Sequence, residues 1–352
     1  MVTYRHRMAI ALAMVLAIPL HAIGGMIGLG ALAVGAASIA NNISANGLVV
    51  VGFSGTDAGY QAFRWTQADG MTSLGLLPGD ESSGAIAVSA DGAVIVGFSS
   101  APAIVGTKQA FRWTQSGGMT GLGYLPGDTF STVAAISADG KVVVGQSGVP
   151  DGIQRPFRWT QSGGMVALGS LPGGTLTHFT GLSADGNVMV GYGDSSKGYQ
   201  AFRWTKSGGM IGLGAPPGFT SSYAFGVSAD GKVIVGEAGT RDGKKQAFRW
   251  TKSAGWKMLG LLPGGTFSSA KAISADGKVV AGNADSSNGV QAFRWTQSGG
   301  INALGLVPGS SLSNASGISA DGSVVAGHSF HIRINNIRKN EAYLWTQETS
   351  TP

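Results

Sequence analysis

The sequence predicts an all-β protein: a seven-bladed β-propeller of four-stranded blades, its ring closed by an N-terminal strand that completes the last blade. Three observations carry this. Glycine supplies 59 of 352 residues, while 43% of the chain is hydrophobic and 12% is charged. That balance suits many short buried strands joined by tight turns, not a disordered polar tract. Next, one unit recurs seven times, marked by Trp65, Trp113, Trp159, Trp204, Trp250, Trp295 and Trp345, spaced 45 to 50 residues apart. Finally, the unit is cut at different points at the two ends of the chain.

Each part of the unit has a structural reading. Ser-Ala-Asp-Gly, with its Asp at Asp91, Asp139, Asp185, Asp230, Asp276 and Asp321 and a variant Asn46, supports a hairpin turn with positive φ. Val142-Val143-Val144 and its equivalents form a β-branched run bounded by Gly, which suits a strand buried on both faces. Gln-Ala-Phe-Arg-Trp-Thr alternates, so Phe and Trp share one side of a strand and Arg takes the other. Gly-Gly-Met is a second hairpin turn, followed by a short strand, and Leu-Pro-Gly-Gly is a corner. The segment before Ile-Ser supplies the fourth strand. Four strands per unit make a propeller blade, and propellers commonly have about four to eight blades. A β-solenoid would use shorter coils with fewer reversals.

The last unit stops after Tyr343-Leu344-Trp345-Thr346 and lacks its Gly-Gly-Met strand. Residues 24–47 supply it: they align without a gap on residues 208–231, and their first eight residues are identical. Met26 to Gly30 is therefore expected to close the ring and hide the sheet edges. A second pattern suggests inter-blade pairing. Arg64, Arg112, Arg158, Arg203, Arg249 and Arg294 each precede the turn Asp of the following unit, and the two exceptions, Leu344 and Asn46, would meet at the same junction. Ion pairs between each Arg and the next Asp are the expectation, because a buried charge left alone costs about 3–5 kcal/mol.

The N-terminus is basic (Arg5, Arg7), then apolar from Met8 to Leu20, then small at Ala22. This is the layout of a secretory signal peptide. Residues 1–22 are expected to be removed, leaving the propeller at 23–348 and a tail at 349–352. Cleavage after Ala22 keeps the closing strand, whereas cleavage after Ala33 would destroy it. A retained membrane anchor is the competing expectation. Secretion, or release into the periplasm, and a monomer without a stable membrane span follow from the first. There is no Cys, which excludes disulfides, thiolate metal sites and a Cys nucleophile. The net charge of +6 is too mild and too dispersed to imply a nucleic-acid partner.

Gln61-Ala62-Phe63, Gln109-Ala110-Phe111, Gln200-Ala201-Phe202, Gln246-Ala247-Phe248 and Gln291-Ala292-Phe293, each followed by Arg-Trp, resemble the HAF extracellular repeat family. The third copy departs as Arg155-Pro156-Phe157. The resemblance spans about residues 24–347 and implies an exported bacterial protein whose biochemical role is unknown. Similar repeats occur in autotransporter passenger regions, but no C-terminal membrane barrel is expected here. The family carries no catalytic residues to transfer.

No acid pair, triad or metal cluster is evident in the sequence, and no cofactor is expected. His328 and His331 lack an acidic neighbour at ligand spacing. Asp194 and Asp285 begin Asp-Ser-Ser turns without the alternating acids of a calcium loop. Gly28-x-Gly30 belongs to the repeat and lacks the strand–helix setting of a dinucleotide site. The repeat Trp residues read as inter-blade packing, which leaves Trp256 as the candidate surface contact. The longer loops, Ser99 to Lys108, Gly239 to Lys245 and Ser329 to Asn340, break the repeat, and the last carries Arg333, Arg338 and Lys339 as a possible contact patch. The functional expectation is an exported non-catalytic protein that presents loops to a surface glycan or protein. A propeller enzyme acting on a polysaccharide is the alternative.

Overall fold

The computed structural model describes residues 25–101, 108–149, 152, 154–334 and 337–347. Among these, the regular structure is 28 strands arranged in seven four-stranded antiparallel sheets. The protein is a seven-bladed β-propeller. In blade 1 the strands run outward from the axis as a (Ser38–Ile43), b (Val50–Thr56), c (Gly59–Thr66) and d (Gly70–Ser73). The Ser-Ala-Asp-Gly turns join a to b and the Gly-Gly-Met turns join c to d, so both lie on one side of the disc, the turn face. The b–c hairpins and the Leu-Pro-Gly corners lie on the other, the loop face.

Glycine is required at two places in each blade. The turn Gly92 has φ 78°, and a Cβ there would lie 2.4 Å from Val49 of the preceding blade. Gly97, which ends the Val run, faces a bulge in strand a between Ala85 and Ala87. A Cβ on Gly97 would lie 2.0 Å from the Gly84 carbonyl oxygen and 2.8 Å from the Phe111 ring.

The core sits between blades rather than within them. At the junction of blades 1 and 2, Val49, Val51, Ala62, Leu74 and Leu77 pack on Ala85, Val88, Ile95 and Phe111, with Trp113 and Met119 at the edge. Seven such clusters alternate with the seven blades, and each holds one repeat Trp. Trp256 takes the place of the Met in its Gly-Gly-Met turn and meets Phe248 edge-on at 4.7 Å. It is part of a wedge, which corrects its expected role as a surface contact.

Closure has three layers. Gly25–Gly28 pairs with Ile337–Thr346, placing Met26 opposite Trp345. The strand is shorter than the expected Met26 to Gly30, because Leu29 adds one bond to Ala342 (2.8 Å) and Gly30 then turns away at φ 74°. Nearest the axis, the turn Ala residues form a circular chain of backbone bonds running from Ala45 through Ala90, Ala138, Ala184, Ala229 and Ala275 to Ala320. The last of these donates back to Ala45 at 2.8 Å. Between these layers, a strand-c N–H donates to a strand-a Ser of the next blade at six junctions, including Ala342 to Ser38 at 2.9 Å. The exception is Pro156, which has no N–H. The Thr177 Oγ1 that would accept its bond is buried without a partner.

The expected Arg–Asp ion pairs do not form. Among the described residues, no repeat Arg lies within 4.0 Å of the next blade's turn Asp. Arg203, Arg249 and Arg294 do reach the next blade's turn, but Nε donates to the carbonyl oxygens of Gly231, Gly277 and Gly322 at 3.3, 3.1 and 3.0 Å. Arg64 instead meets Asp69 in its own blade at 3.3 Å. The turn Asp is occupied locally: Asp139 Oδ1 accepts from the Ser137 hydroxyl (2.7 Å) and the Lys141 N–H (3.1 Å). Asn46 does the same with Ser44 and Leu48. Asn46 shows that a neutral acceptor oxygen suffices at this position, so no ion pair accounts for the coincidence of Leu344 and Asn46.

Candidate functional site

Seven near-identical units make departures from the repeat informative. The residue after the Gly of the Val run is Phe53, Phe98, Gln146, Tyr192, Glu237, Asn283 and His328 in successive blades. Strand a varies at two positions: His178 and Thr180 in blade 4 correspond to Tyr223 and Phe225 in blade 5 and to Ser269 and Lys271 in blade 6. The start of strand c varies too, with Tyr60, Lys108, Tyr199 and Lys245 at equivalent positions. All four positions lie toward the loop face.

Of these strand-a residues Thr180, Phe225 and Lys271 line the central channel, a cavity of about 440 Å³ walled by the turn Ala residues and by Ile43, Val88, Ile136, Leu182, Val227, Ile273 and Ile318. At its loop-face mouth a second recess of about 470 Å³ is lined by Phe179, Thr180, Phe225, Lys271, Asn283, Asn314 and His328.

Some variable residues staple blades together. Asn41 donates to the Ala85 carbonyl (2.7 Å), Thr180 to Ala224 (2.8 Å) and Gln146 to Thr177 (2.8 Å), while Asn283 accepts from the Ala315 N–H (2.7 Å). Within a blade, the strand-b and strand-c positions pair by type. Phe53 meets Tyr60 edge-on at 5.6 Å, the Lys108 amine lies 4.8 Å above Phe98, and Lys245 binds Glu237 at 2.7 Å.

Blades 4 to 6 carry a contiguous cluster. Tyr192 contacts His178 and Tyr223, each at 5.1 Å between ring centres, and Phe225 at 6.3 Å. Tyr199, 43% exposed, stacks on Tyr223 at 6.1 Å. The Lys271 amine lies 3.8 Å over the Phe225 ring. Burial pushes the Lys271 amine down, opposed by Glu237. The hydrogen bond from Lys245 to Glu237 raises the Lys245 amine. Burial lowers His178 and brings His328 down to about 4. His328 Nδ1 is buried with no hydrogen-bond partner. Neutral imidazoles, one neutralised carboxylate and one unpaired ammonium can bind and orient a ligand. Among the described residues no group of three His, Asp or Glu converges to hold a metal.

The three longer loops differ in outcome. In Gly239 to Lys245, Asp242 is tied to Lys244 at 2.9 Å and held down to about 2, first by the Thr240 hydroxyl and then by Lys244. Residues 102–107 lie outside the described residues. Ser329 to Asn340 is not a loop: Val324–Ile334 and Ile337–Thr346 extend as a paired hairpin, with His331 opposite Lys339. Arg333 lies on the first of these strands, and Arg338 and Lys339 on the second. The side chains of Arg333 and Arg338 lie outside the described residues, as does the leader at 1–22. Asp194 and Asp285 fasten the preceding corner, accepting from the N–H groups of Thr175 and Leu176 and of Thr266 and Phe267. They serve as polar turns.

Length differences between the repeats do not point to the mouth residues, whose signal is divergence at equivalent positions. Comparing the seven copies position by position would have exposed them.

No family model matches the chain, and no curated protein matches it. Solved structures do, at the level of fold. TolB from Acinetobacter baumannii is 15% identical with a TM-score of 0.52, covering 75% of this chain and 62% of TolB. The chain thus spans less than two thirds of that relative. An oligogalacturonate lyase in complex with manganese is 12% identical with a TM-score of 0.59, covering 93% of this chain and 98% of the lyase. A prolyl endopeptidase matches with the same identity and TM-score, covering 88% of this chain and 50% of that one. Among the described residues no helix is long and apolar enough to cross a membrane.

Proposed function

We propose that the protein is an exported, non-enzymatic propeller of HAF-repeat type that binds a cell-surface or extracellular partner at the loop-face mouth of its channel. One observation carries the reading. The repeat is nearly invariant where blades wedge together, while its strand-a, strand-b and strand-c positions toward the channel mouth differ from blade to blade, and a variable concave face on a shared scaffold suits a binding surface. The one acid at these positions, Glu237, is neutralised by Lys245, and among the described residues no second carboxylate stands at the variable positions for acid–base work. Export rests on the basic, apolar and small segments of residues 1–22.

A binding screen of the full chain against glycan and surface-protein arrays tests this, with Tyr223→Ser as the mouth variant. Tyr223 corresponds to Ser269 in blade 6, so the fold tolerates the change. Hits that vanish in the variant support the reading. Hits indifferent to the mouth, or turnover of a polysaccharide, contradict it. N-terminal sequencing of the mature protein is expected to start at Ile23; a retained Met1 would oppose cleaved export.

A further inference from the structure

The aromatic cluster of blades 4 and 5 is not required by the fold. The positions held by His178 with Tyr192 and by Tyr223 with Glu237 are cross-strand neighbours. In blades 2 and 3 the same neighbours are Gly84 with Phe98 and Thr132 with Gln146, on sheets of the same order. Strand a thus holds Gly84 or Thr132 and strand b holds Phe98 or Gln146 at these positions, so the fold sets no requirement for a phenol there, and the tyrosine hydroxyls need a reason beyond packing.

Their arrangement suggests one. Tyr199 is exposed and stacks on the half-buried Tyr223, and contacts of 5.1, 6.3 and 3.8 Å lead from Tyr223 through Tyr192 and Phe225 to the Lys271 amine. The Tyr192, Tyr199 and Tyr223 hydroxyls have no hydrogen-bond partner among the described residues. Flat apolar faces rimmed by free hydroxyls match a pyranose ring, which has C–H faces and a hydroxyl edge. The charge is also unbalanced. Lys245 and Glu237 neutralise each other at 2.7 Å, while Lys271 has no carboxylate within 4.0 Å among the described residues. A half-buried ammonium whose contact is an aromatic face gains from an incoming anion. A peptide strand would pair along a sheet edge, which strands a and d of each blade both present, whereas the groups gathered here are aromatic side-chain faces and an ammonium.

We propose that this cluster is a subsite for a carboxylated saccharide, with sugar rings on Tyr199 and Tyr223 and the carboxylate at Lys271. The proposal rests on the binding role assigned to the mouth and names its ligand class.

Calorimetric titration of the full chain tests it, using an oligouronate, the neutral oligosaccharide of the same linkage, and an acidic peptide. The wild type is expected to bind the oligouronate about tenfold more tightly than the neutral sugar, as for a charged hydrogen bond. Lys271→Gln is expected to erase that preference. The position holds Asn41, Ile86 and Ser316 in other blades, so the variant folds. Tyr199→Ala is expected to weaken both sugars. Substituting Arg333, Arg338 and Lys339 together by Gln is expected to change neither. Equal affinity for the two sugars, tighter binding of the acidic peptide, or loss of binding in the hairpin variant would overturn the proposal. If no saccharide binds while Tyr223→Ser still abolishes another array hit, the ligand class fails and the binding role survives. If the mouth variants affect no ligand, both fail.

Discussion

The two faces of the disc are built from the same repeat and obey different rules. On the turn face, Ser-Ala-Asp-Gly recurs with one conservative exception, and its alanines bond to one another around the axis until Ala320 returns to Ala45. On the loop face, a few ångströms along the same strands, equivalent positions hold Phe, Gln, Tyr, Glu, Asn and His. The chain repeats where neighbouring blades must present identical surfaces to each other. It departs from the repeat near the mouth, where each blade meets its neighbour through individual pairings such as Gln146 with Thr177 and Asn283 with Ala315.

That contrast can be broken most forcefully at the wedge. Phe248, fully buried between blades, is expected to cost about 3–5 kcal/mol when changed to Ala. Phe225→Ala at the mouth, a position that is already Ala134 in blade 3, is expected to cost under about 1 kcal/mol. Chemical denaturation of the two variants measures the difference, and equal losses would erase the distinction between the faces.

The next largest effect concerns pH. His328 titrates at about 4 because burial disfavours its charged form. Its folded value lies below its unfolded value, so protons bind preferentially to the unfolded chain. The stability it contributes is complete above about pH 6.5 and is lost toward pH 4, reaching about 3 kcal/mol. Replacing His328 by Asn, the residue at Asn283 in blade 6, is expected to flatten the melting temperature across that window. An unchanged pH profile in the variant would place the sensitivity elsewhere.

On the turn face a smaller, acid-range effect is expected. In Asp91, Asp139, Asp185 and Asp230 the Ser hydroxyl, then the backbone N–H two residues on, hold the carboxyl below its usual value. These depressed values stabilise the fold above about pH 3.8 and cease to do so as pH falls through the folded value. Asp139→Asn is expected to be nearly neutral at pH 7, since Asn46 already performs the same task. Asp139→Ala is expected to cost about 1 kcal/mol for the lost acceptor. A large loss in the Asn variant would revive a role for the charge.

The smallest expected effect is at the irregular third junction. Pro156→Ala gives Thr177 Oγ1 the donor it lacks, worth about 1 kcal/mol. It also returns about 0.4–1 kcal/mol of unfolded-chain freedom, so the net change stays under about 1 kcal/mol. Thermal melts of the two proteins measure it.

Much of this fold was legible in the repeat. Seven Trp markers set the blade count, Gly-Gly-Met at residues 24–26 announced the closing strand, and Asp-Gly located the inner turns. The Arg–Asp pattern misled for a physical reason. Spacing places Arg294 beside the next turn, but it cannot say that Nε meets the Gly322 carbonyl while Asp321 is already engaged by Ser319 and Ser323. The outer part of the last hairpin, Ser329 to Asn340, read as a loop because it lies outside the repeat, where strand pairing replaces periodicity as the signal. The mouth residues were hidden for the opposite reason: each looks like ordinary drift until the sheets bring Thr180, Phe225, Lys271, Asn283, Asn314 and His328 to one opening.

Hydrogen exchange of the full chain, followed by mass spectrometry with and without a bound oligouronate, tests the central claim most directly. Protection confined to the b–c hairpins and strand a of blades 4 to 6 is the predicted result, with the Ser-Ala-Asp-Gly turns unchanged. Protection centred on the turn face, or on the hairpin carrying Arg333 and Arg338, would contradict it.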